Sequence, residues 1–285
     1  MTRAADALAA LRERLAGVSD SAALDAEILV AKVLGITRAA FAADTGRTLR
    51  PGELLALESL AQRRLAGEPV AYLTGRREFW SLELEVTPDV LVPRPETELV
   101  VERTLAAIAG ARHPAVLDLG TGSGAIALAV ASARPDAAIT ATDASAAALA
   151  VARRNALRLC LPNVRFFEGA WYGPIADAQF EAIASNPPYI AAGDSALSAL
   201  GHEPMLALAA GPEGLEALAA VAAGAPGHLS PGGTLLVEHG ADQGAAVRRL
   251  FSHAGLEDIE TFADLSGHDR VTEGKRPREA VESTP

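Results

Sequence analysis

Hydrophobic positions recur at helical spacing throughout residues 1–75. In Ala22–Leu34 they mark one face of a helix, and Gly35 follows where a left-handed C-terminal cap is favoured. Pro51 stands where the first turn of another helix would begin, because proline is best tolerated at that end of a helix. We therefore predict a small all-α domain over residues 1–75.

Residues 76–95 have a different pattern. From Leu82 onward, apolar and polar residues alternate, which predicts a strand or a hairpin. Pro93 and Pro95 then indicate an extended segment that opens into a helix. This stretch is predicted to be a β-hairpin linker between two domains.

In residues 96–275, short apolar runs alternate with helical segments. Alternation of this kind is typical of an α/β fold, in which a doubly wound, mostly parallel sheet carries helices on both faces. Two segments near the end are predicted to close the sheet as a strand pair, which gives seven strands. The polar residues 276–285 are predicted to form a flexible tail. The predicted strands are Ala115–Leu119, Ala138–Asp143, Val164–Phe167, Ala182–Ala184, Thr234–Val237, Ile259–Phe262 and Arg270–Thr272.

The net charge, the lengths of the apolar runs and the N-terminal residues indicate which partners and which cellular location to expect. A net charge of −11 is opposite in sign to that of most proteins that hold a phosphate backbone, so direct nucleic-acid binding is not expected. No run reaches the ~18 apolar residues of a membrane span. Arg12, Glu13 and Arg14 interrupt any apolar signal-peptide segment, so a cytoplasmic protein is expected.

The single cysteine, Cys160, excludes an internal disulfide and a cysteine metal cluster. It lies at an apolar helix end and is expected to be buried there. The histidines show no metal-ligand spacing, so no metal site is predicted.

A glycine-rich loop, Gly120-Thr121-Gly122-Ser123-Gly124, follows the first strand of the sheet. Its G-x-G-x-G spacing differs from the G-x-G-x-x-G of dinucleotide-binding loops. Asp143, nineteen positions after Gly124, could accept both hydroxyls of an adenosine ribose or merely cap the helix that begins near Ser145. Asp118 could reach a methionine ammonium or serve as a turn acid. Together the loop and Asp143 favour S-adenosylmethionine over NAD as the cofactor.

The tetrapeptide Asn186-Pro187-Pro188-Tyr189 ends the fourth strand, at the sheet edge where such folds place their chemistry. The prolines remove two N–H donors, so the carbonyls of Asn186 and Pro187 are free to accept hydrogen bonds. The Asn186 side chain offers a further acceptor, and Tyr189 offers a ring on which a flat substrate can stack. We predict that Asn186, Pro187 and Tyr189 are catalytic and that all four residues bind substrate.

An amide nitrogen is a poor nucleophile because its lone pair is delocalised into the carbonyl group. Two acceptors that bind its hydrogens favour positive charge on nitrogen as a methyl group arrives, and they aim the lone pair at that methyl group. Positioning and electrostatics can then supply the rate without a strong base. The tetrapeptide therefore predicts methyl transfer to an amide or amino nitrogen.

Several stretches along nearly the whole chain match the pattern of one family. They are Asp25–Leu29, Gly67–Pro69, Arg77–Ser81, Pro93–Glu98, Asp118–Gly124, Asn186–Ile190, Glu203-Pro204, Glu238–Gly240 and Asp269–Thr272. With these motifs the chain resembles the release-factor glutamine methyltransferases (PrmC/HemK), which are class I S-adenosylmethionine-dependent methyltransferases. The tetrapeptide alone is shared with DNA adenine methyltransferases, but its combination with the helical N-terminus is much more specific.

The resemblance implies methylation of the glutamine in the Gly-Gly-Gln motif of class I peptide chain release factors, with S-adenosyl-L-homocysteine as the second product. It places the cofactor at Gly120–Gly124, Asp143, Trp171 and Asn186, and the substrate amide at Asn186–Tyr189. Residues 1–75 would then dock the protein substrate. One neighbour departs from the family pattern: Ala170 stands where a polar residue usually precedes the tryptophan, which removes a side-chain contact to adenine.

Three other functions remain to be compared. A DNA adenine-N6 methyltransferase would use the same tetrapeptide on a flipped base, but the acidic charge and the lack of a basic recognition domain disfavour it. A non-catalytic binding module would be expected to have lost the glycines or Asn186. An NAD-linked oxidoreductase is disfavoured by the glycine spacing. Arg94, Thr97 and Glu98 are candidates for the methionine end of the cofactor site, although a role at the start of a helix explains Thr97 and Glu98 almost as well. His239 could act as a catalytic acid or base, but it is expected to pack at a strand end.

Overall fold

The helical periodicity at the start of the chain corresponds to five α-helices. The structure is a computed structural model and describes residues 2–175 and 177–278. Within them, α2 ends at the left-handed Gly35 and α4 begins at Pro51, which confirms both capping predictions. Leu15, Leu29 and Phe41 lie in the apolar core of this unit. The five helices are α1 (Ala4–Leu15), α2 (Ala22–Leu34), α3 (Arg38–Ala43), α4 (Pro51–Leu65) and α5 (Val70–Thr74).

The described chain divides into two compact units, the first ending at Arg76 and the second beginning at Arg77. The second unit opens with a hairpin of β1 (Arg76–Phe79) and β2 (Leu82–Glu85). Phe79 and Leu84 are buried in the core of the second unit, so the hairpin is an integral part of its packing.

The sheet of the second unit has seven strands among the described residues, in the order β5-β4-β3-β6-β7-β9-β8. Strands β3 to β7 pair in parallel, and β9 is antiparallel to both β7 and β8. The α/β fold with a mostly parallel seven-stranded sheet is therefore confirmed. The strands are β3 (Ala115–Leu119), β4 (Ala138–Asp143), β5 (Val164–Glu168), β6 (Phe180–Ser185), β7 (Leu229–Glu238), β8 (Glu257–Ala263) and β9 (Asp269–Lys275).

Helices cover both faces of this sheet, which explains why its central strands are apolar without alternation. Val116 of β3 belongs to one apolar core, and Leu117 and Leu119 of the same strand belong to the other. The helices are α6 (Glu98–Ala107), α7 (Ala125–Ala133), α8 (Ala146–Arg158), α9 (Ala196–Ala199), α10 (Glu216–His228) and α11 (Gly244–His253). Helix α11 was not predicted, although its buried residues Gly244, Val247 and Phe251 recur at helical spacing.

The sequence analysis predicted a buried Cys160 at the end of a helix and a flexible tail at residues 276–285. Cys160 is exposed, so the expectation that it is buried was wrong. The last turn of α8 closes with Leu161 N–H donating to the Ala156 carbonyl, which places Cys160 in the left-handed position with φ 56°. Leu161, one residue later, packs against the core instead. Of the predicted tail, residues 276–278 are described and residues 279–285 lie outside the described residues.

The buried side chain of Asn155 on α8 joins the hairpin to the glycine loop. Its Oδ1 accepts from Glu85 N–H at 2.7 Å, and its Nδ2 donates to the carbonyls of Glu85 at 3.0 Å and Ser123 at 2.9 Å. One amide thus satisfies three backbone groups in two segments, the hairpin and the glycine loop. The shape of the glycine loop therefore depends on a helix more than thirty residues further along the chain.

We predict that Asn155→Ala lowers the free energy of unfolding of the second unit by ~2–4 kcal/mol, because three buried backbone groups lose their partner. Leu157→Ala on the same helix removes a side chain that is 82% exposed and is the matched control, expected within ~0.5 kcal/mol of wild type. Both tryptophans, Trp80 and Trp171, lie in the second unit, so denaturation followed by tryptophan fluorescence reports on it. Equal effects of the two substitutions would contradict the role given to Asn155.

Candidate active site

The residues predicted from the sequence come together where four parallel strands end. Leu119 at the end of β3 lies beside Thr142 of β4 and Ser185 of β6, and Ser185 lies beside Val237 of β7. The carboxyl ends of parallel strands share one edge of the sheet, and a pocket of about 460 Å³ opens there. Of the residues predicted from the sequence, the pocket wall includes Gly120, Thr121, Gly122, Ser123, Asp143, Trp171, Asn186 and Pro188.

The glycine loop is held by backbone bonds to the neighbouring strand. The N–H groups of Gly120 and Thr121 both donate to the Thr142 carbonyl, at 2.9 and 3.0 Å. Gly124 has φ 88°, and a Cβ there would lie 2.9 Å from a methyl carbon of Leu128. Any other residue there would have a strained left-handed backbone and would displace the Leu128 side chain. The loop therefore presents a fixed backbone surface to the pocket.

Asp143 is the last residue of β4, and its carboxylate bonds to the backbone of the glycine loop. One carboxylate oxygen accepts from Gly122 N–H and the other from Ser145 N–H, each at 2.8 Å. Ser145 itself caps α8 through its hydroxyl, which accepts from Ala148 N–H. Burial raises the pKa of Asp143, and the two backbone hydrogen bonds act against that rise. Because each carboxylate oxygen can accept two hydrogen bonds, both keep a lone pair for a ligand in the pocket.

Asp118 lies beneath the loop and is 1% exposed. Its Oδ2 accepts from the Thr121 hydroxyl at 2.6 Å and from Ala127 N–H at 3.1 Å. Its Oδ1 is buried and has no hydrogen-bond partner among the described residues. Burial raises the pKa of Asp118 to about 7. A buried oxygen of this kind favours a positively charged donor, which would stabilise the ionised form.

Trp171 lies beside the loop in a left-handed conformation, with φ 51°. Its carbonyl accepts from the Thr142 hydroxyl at 3.0 Å, which fixes the backbone at that point. A Cβ on Gly120 would lie 3.8 Å from the indole ring, so the ring and the loop are close neighbours. Ala170 also lines the pocket and adds no polar side chain there.

The tetrapeptide divides its side chains between the pocket and the core. Asn186 and Pro188 line the pocket, whereas Pro187 is buried. The ring of Tyr189 packs against the apolar core, and its hydroxyl donates to Glu238 Oε1 at 3.3 Å. Burial raises the pKa of Tyr189, so the hydroxyl stays protonated at neutral pH. The structure thus places the Tyr189 ring outside the pocket wall.

A row of hydrogen bonds that the sequence analysis did not anticipate runs behind Asn186. The Asn186 Nδ2 donates to the Thr97 hydroxyl at 3.1 Å, and that hydroxyl donates to Glu238 Oε2 at 2.7 Å. Thr97 lies just before α6, and Glu238 ends β7. In the sequence, Glu238 stood out only as part of a stretch that matches the family pattern. Its contact with Thr97 joins residues 141 positions apart.

The other candidates have structural partners. Arg94 lines the pocket and pairs with the buried carboxylate of Glu203. Glu98 accepts from Trp80 N–H at 2.9 Å and so supports the turn of the hairpin. His239 is fully buried, with hydrogen bonds to the Gly240 carbonyl and the Thr272 hydroxyl, each at 2.8 Å. Burial lowers the pKa of His239, which fits the strand-end packing expected for it.

In residues 2–175 and 177–278, no group of three or more His, Cys, Asp or Glu side chains is placed to hold a metal ion. In the same ranges, no helix has the length and hydropathy to cross a membrane.

Known proteins resemble this chain both in fold and in sequence. The fold is similar to that of solved methyltransferase structures. One solved structure of this fold is a T. thermophilus 16S rRNA N2 G1207 methyltransferase in complex with AdoMet and guanosine. It superimposes with a TM-score of 0.54 at 19% identity, covering 70% of this chain and 49% of that chain.

Two family models match consecutive parts of the chain. Residues 6–75 match the PrmC N-terminal domain, and residues 97–211 match the methyltransferase small domain. A release factor glutamine methyltransferase of Burkholderia pseudomallei is 47% identical over 90% of this chain and 92% of its own. Another of Xylella fastidiosa is 48% identical over 95% of this chain and 97% of its own. The chain belongs to the release factor glutamine methyltransferase family.

Proposed function

We propose that this enzyme transfers a methyl group from S-adenosylmethionine to the side-chain nitrogen of the glutamine in the Gly-Gly-Gln motif of class I release factors. The observation that carries the proposal is the orientation of Asn186. Its Nδ2 is bonded to Thr97, a neighbouring residue of the pocket wall, so its Oδ1 is left for an amide N–H group in the pocket. The names of the relatives support a release factor as the protein that presents this amide. The proposal includes a cytoplasmic location for the enzyme.

The residues around the glycine loop fit the cofactor. Asp118 Oδ1, buried and without a partner in the described chain, suits the ammonium group of the methionine part. Asp143 keeps two lone pairs for the ribose hydroxyls. Trp171 and the backbone of Gly120 would hold the adenine by packing, because Ala170 offers no polar side chain. When bound, the cofactor supplies an electrophilic methyl group and leaves as S-adenosyl-L-homocysteine.

The tetrapeptide would bind the glutamine amide through two acceptors. One is Asn186 Oδ1, and the other is the Pro187 carbonyl, to which no donor within the described chain is bonded. Both acceptors gain strength as positive charge develops on the nitrogen, so they bind the transition state more tightly than the substrate. Because the pocket lies at the end of a rigid sheet, this geometry needs little rearrangement during the reaction.

The direct test is intact-mass analysis of a purified class I release factor after incubation with this enzyme and S-adenosylmethionine. We expect each release factor molecule to gain one methyl group. A parallel incubation with double-stranded DNA and methyl-labelled cofactor is expected to leave the DNA unlabelled. Label in the DNA together with an unmodified release factor would overturn the proposal in favour of adenine-N6 methylation.

Asn186→Ala should lower kcat on the release factor by ~100-fold or more, because the acceptor it removes acts mainly in the transition state. The dissociation constant for S-adenosylmethionine should change little, since the substitution leaves the glycine loop and Asp143 intact. Single-turnover kinetics and calorimetry measure the two quantities. A variant that retains half of the wild-type kcat would remove Asn186 from the catalytic machinery.

Asp143→Ala should weaken S-adenosylmethionine binding by ~1.5–3 kcal/mol, the range for hydrogen bonds to a charged group. Glu168→Ala is the matched control, because Glu168 lies beside Asp143 in the sheet but outside the pocket wall. Calorimetry on both variants measures the affinity for S-adenosylmethionine. Thermal denaturation without S-adenosylmethionine measures how much each substitution lowers the stability of the protein. A weaker affinity that is matched by an equal loss of stability would mean that Asp143 only holds Gly122 and Ser145.

We further propose that residues 1–75 dock the release factor, residues 76–95 link the two domains, and residues 96–275 carry the chemistry. The separate apolar cores of the two units support a boundary near residue 76. The hairpin that connects the helical domain to the second unit also packs in the core of that unit, through Phe79 and Leu84. A short peptide offers a pocket little contact area, so a protein substrate needs a second surface for affinity.

Deletion of residues 1–75 should therefore leave a fragment that binds S-adenosylmethionine but methylates the whole release factor far more slowly, mainly through a higher KM. On a Gly-Gly-Gln peptide, the fragment and the full-length enzyme should have similar rates. Equal losses on both substrates would show instead that the helical domain supports the active site.

A further inference from the structure

Glu238 is a buried carboxylate that has no direct contact with the proposed substrate position. It is 1% exposed and reaches the pocket wall only through Thr97, which is 4% exposed. The row Asn186–Thr97–Glu238 draws its three members from the end of β6, the segment before α6 and the end of β7. Buried polar side chains cannot bond to water, so each donor among them must face an acceptor within the protein.

The direction of each hydrogen bond in this row follows from the chemistry of a hydroxyl group. The Thr97 hydroxyl has one hydrogen, and an ionised Glu238 can only accept, so that hydrogen lies on the 2.7 Å bond to Glu238. Thr97 then offers only lone pairs to Asn186. The Asn186 amide must turn its NH2 group toward Thr97, and its oxygen consequently faces the opposite way.

We propose that Glu238 and Thr97 are positioning residues that fix the Asn186 carboxamide with its oxygen toward the substrate. The proposal rests on the function proposed above, because an oxygen at this point is useful only if the substrate brings an N–H donor. In the reversed orientation, the Asn186 NH2 group would meet the NH2 group of the substrate. Two donors would then face each other, and the substrate nitrogen would lose one of its two acceptors.

The proposal also gives the reaction a dependence on pH. Burial raises the pKa of Glu238 to about 7, although the hydrogen bond from Thr97 and the positive charge of Arg270 lower it. Tyr189 donates to the same carboxylate, and the negative charge of Glu96 raises the pKa further. A protonated Glu238 can donate to the Thr97 oxygen and release the Thr97 hydrogen toward Asn186, which favours the reversed amide. The acceptor is thus in place above the pKa, and kcat should fall as the pH drops through about 7.

Thr97→Val and Thr97→Ser separate this role from simple packing. Valine keeps the shape and loses the hydroxyl, whereas serine keeps the hydroxyl and loses the methyl group. We expect Thr97→Val to lower kcat by ~10- to 30-fold, the loss equivalent to one hydrogen bond of this kind. Thr97→Ser should stay within ~3-fold of wild type, and the S-adenosylmethionine dissociation constant should change little in either variant. If Thr97→Ser is impaired as much as Thr97→Val, Thr97 acts by packing and the proposal is wrong.

Glu238→Gln provides the second test, because glutamine does not titrate but can still accept the Thr97 hydrogen through its carbonyl. Between about pH 6 and about pH 8, kcat of wild type should rise with pH, and kcat of Glu238→Gln should stay flat. An unchanged pH profile in Glu238→Gln would overturn the assignment of this titration to Glu238.

A measurement without turnover distinguishes a failure of this proposal from a failure of the proposed function. The side-chain ¹⁵N–¹H₂ signals of Asn186 in the full-length protein should shift with pH around a midpoint near 7. The shift should be absent in Glu238→Gln and strongly reduced in Thr97→Val. Wild-type enzyme that shows this titration but methylates no release factor would refute the function and leave the positioning role standing. Asn186 signals that do not respond to Glu238 would refute the positioning role.

Discussion

Polar side chains at the carboxyl edge of this sheet are withdrawn from water, so each must find a partner in the chain or in a ligand. Helices cover both faces of the sheet, and the strands that end at the edge carry Asp118, Ser185 and Glu238 into the interior. Ser185 is satisfied by the Leu119 carbonyl at 2.8 Å, and Glu238 by Thr97 and Tyr189. The organisation of the pocket follows from how this requirement is met.

Two of the side-chain acceptors at this edge have no hydrogen bond within the described residues. Asp118 Oδ1 has no partner in the described chain, and Asn186 Oδ1 is left over once its Nδ2 is bound to Thr97. A negatively charged acceptor beneath the glycine loop suits an ammonium group, and a neutral acceptor at the end of β6 suits an amide. In the proposed function, Asp118 would serve the cofactor and Asn186 the substrate, so the constraint that stabilises the sheet would also separate these two positions.

The parts of the fold that depend on local chemistry could be predicted from the sequence. Gly35 and Pro51 set the ends of helices, and the apolar runs of β3 and β4 gave their bounds as the structure has them. Strand β7 was predicted only from Thr234 because Pro231 and two glycines occupy its first half, where its pairing with β6 shifts register.

Contacts across long separations could not be predicted in this way. The glycine spacing and the tetrapeptide mark the site because each is contiguous, whereas Trp171 was identified only through the family resemblance. Asn155 gave no signal, since an asparagine within a helix is ordinary in sequence. Thr97 was a candidate for the methionine end of the cofactor site, but nothing in the sequence indicated its contact with Glu238. Their roles depend on Glu85, 70 positions away from Asn155, and on Glu238, 141 positions away from Thr97.

The central claim is that this sheet edge directs a methyl group onto an amide nitrogen. Fragmentation mass spectrometry of a release factor treated with the enzyme and deuteromethyl-labelled S-adenosylmethionine tests it most directly. The account predicts label on the side-chain nitrogen of the glutamine in Gly-Gly-Gln and no label when that glutamine is replaced by glutamate. Label on another residue, or equal labelling of the glutamate variant, would contradict it.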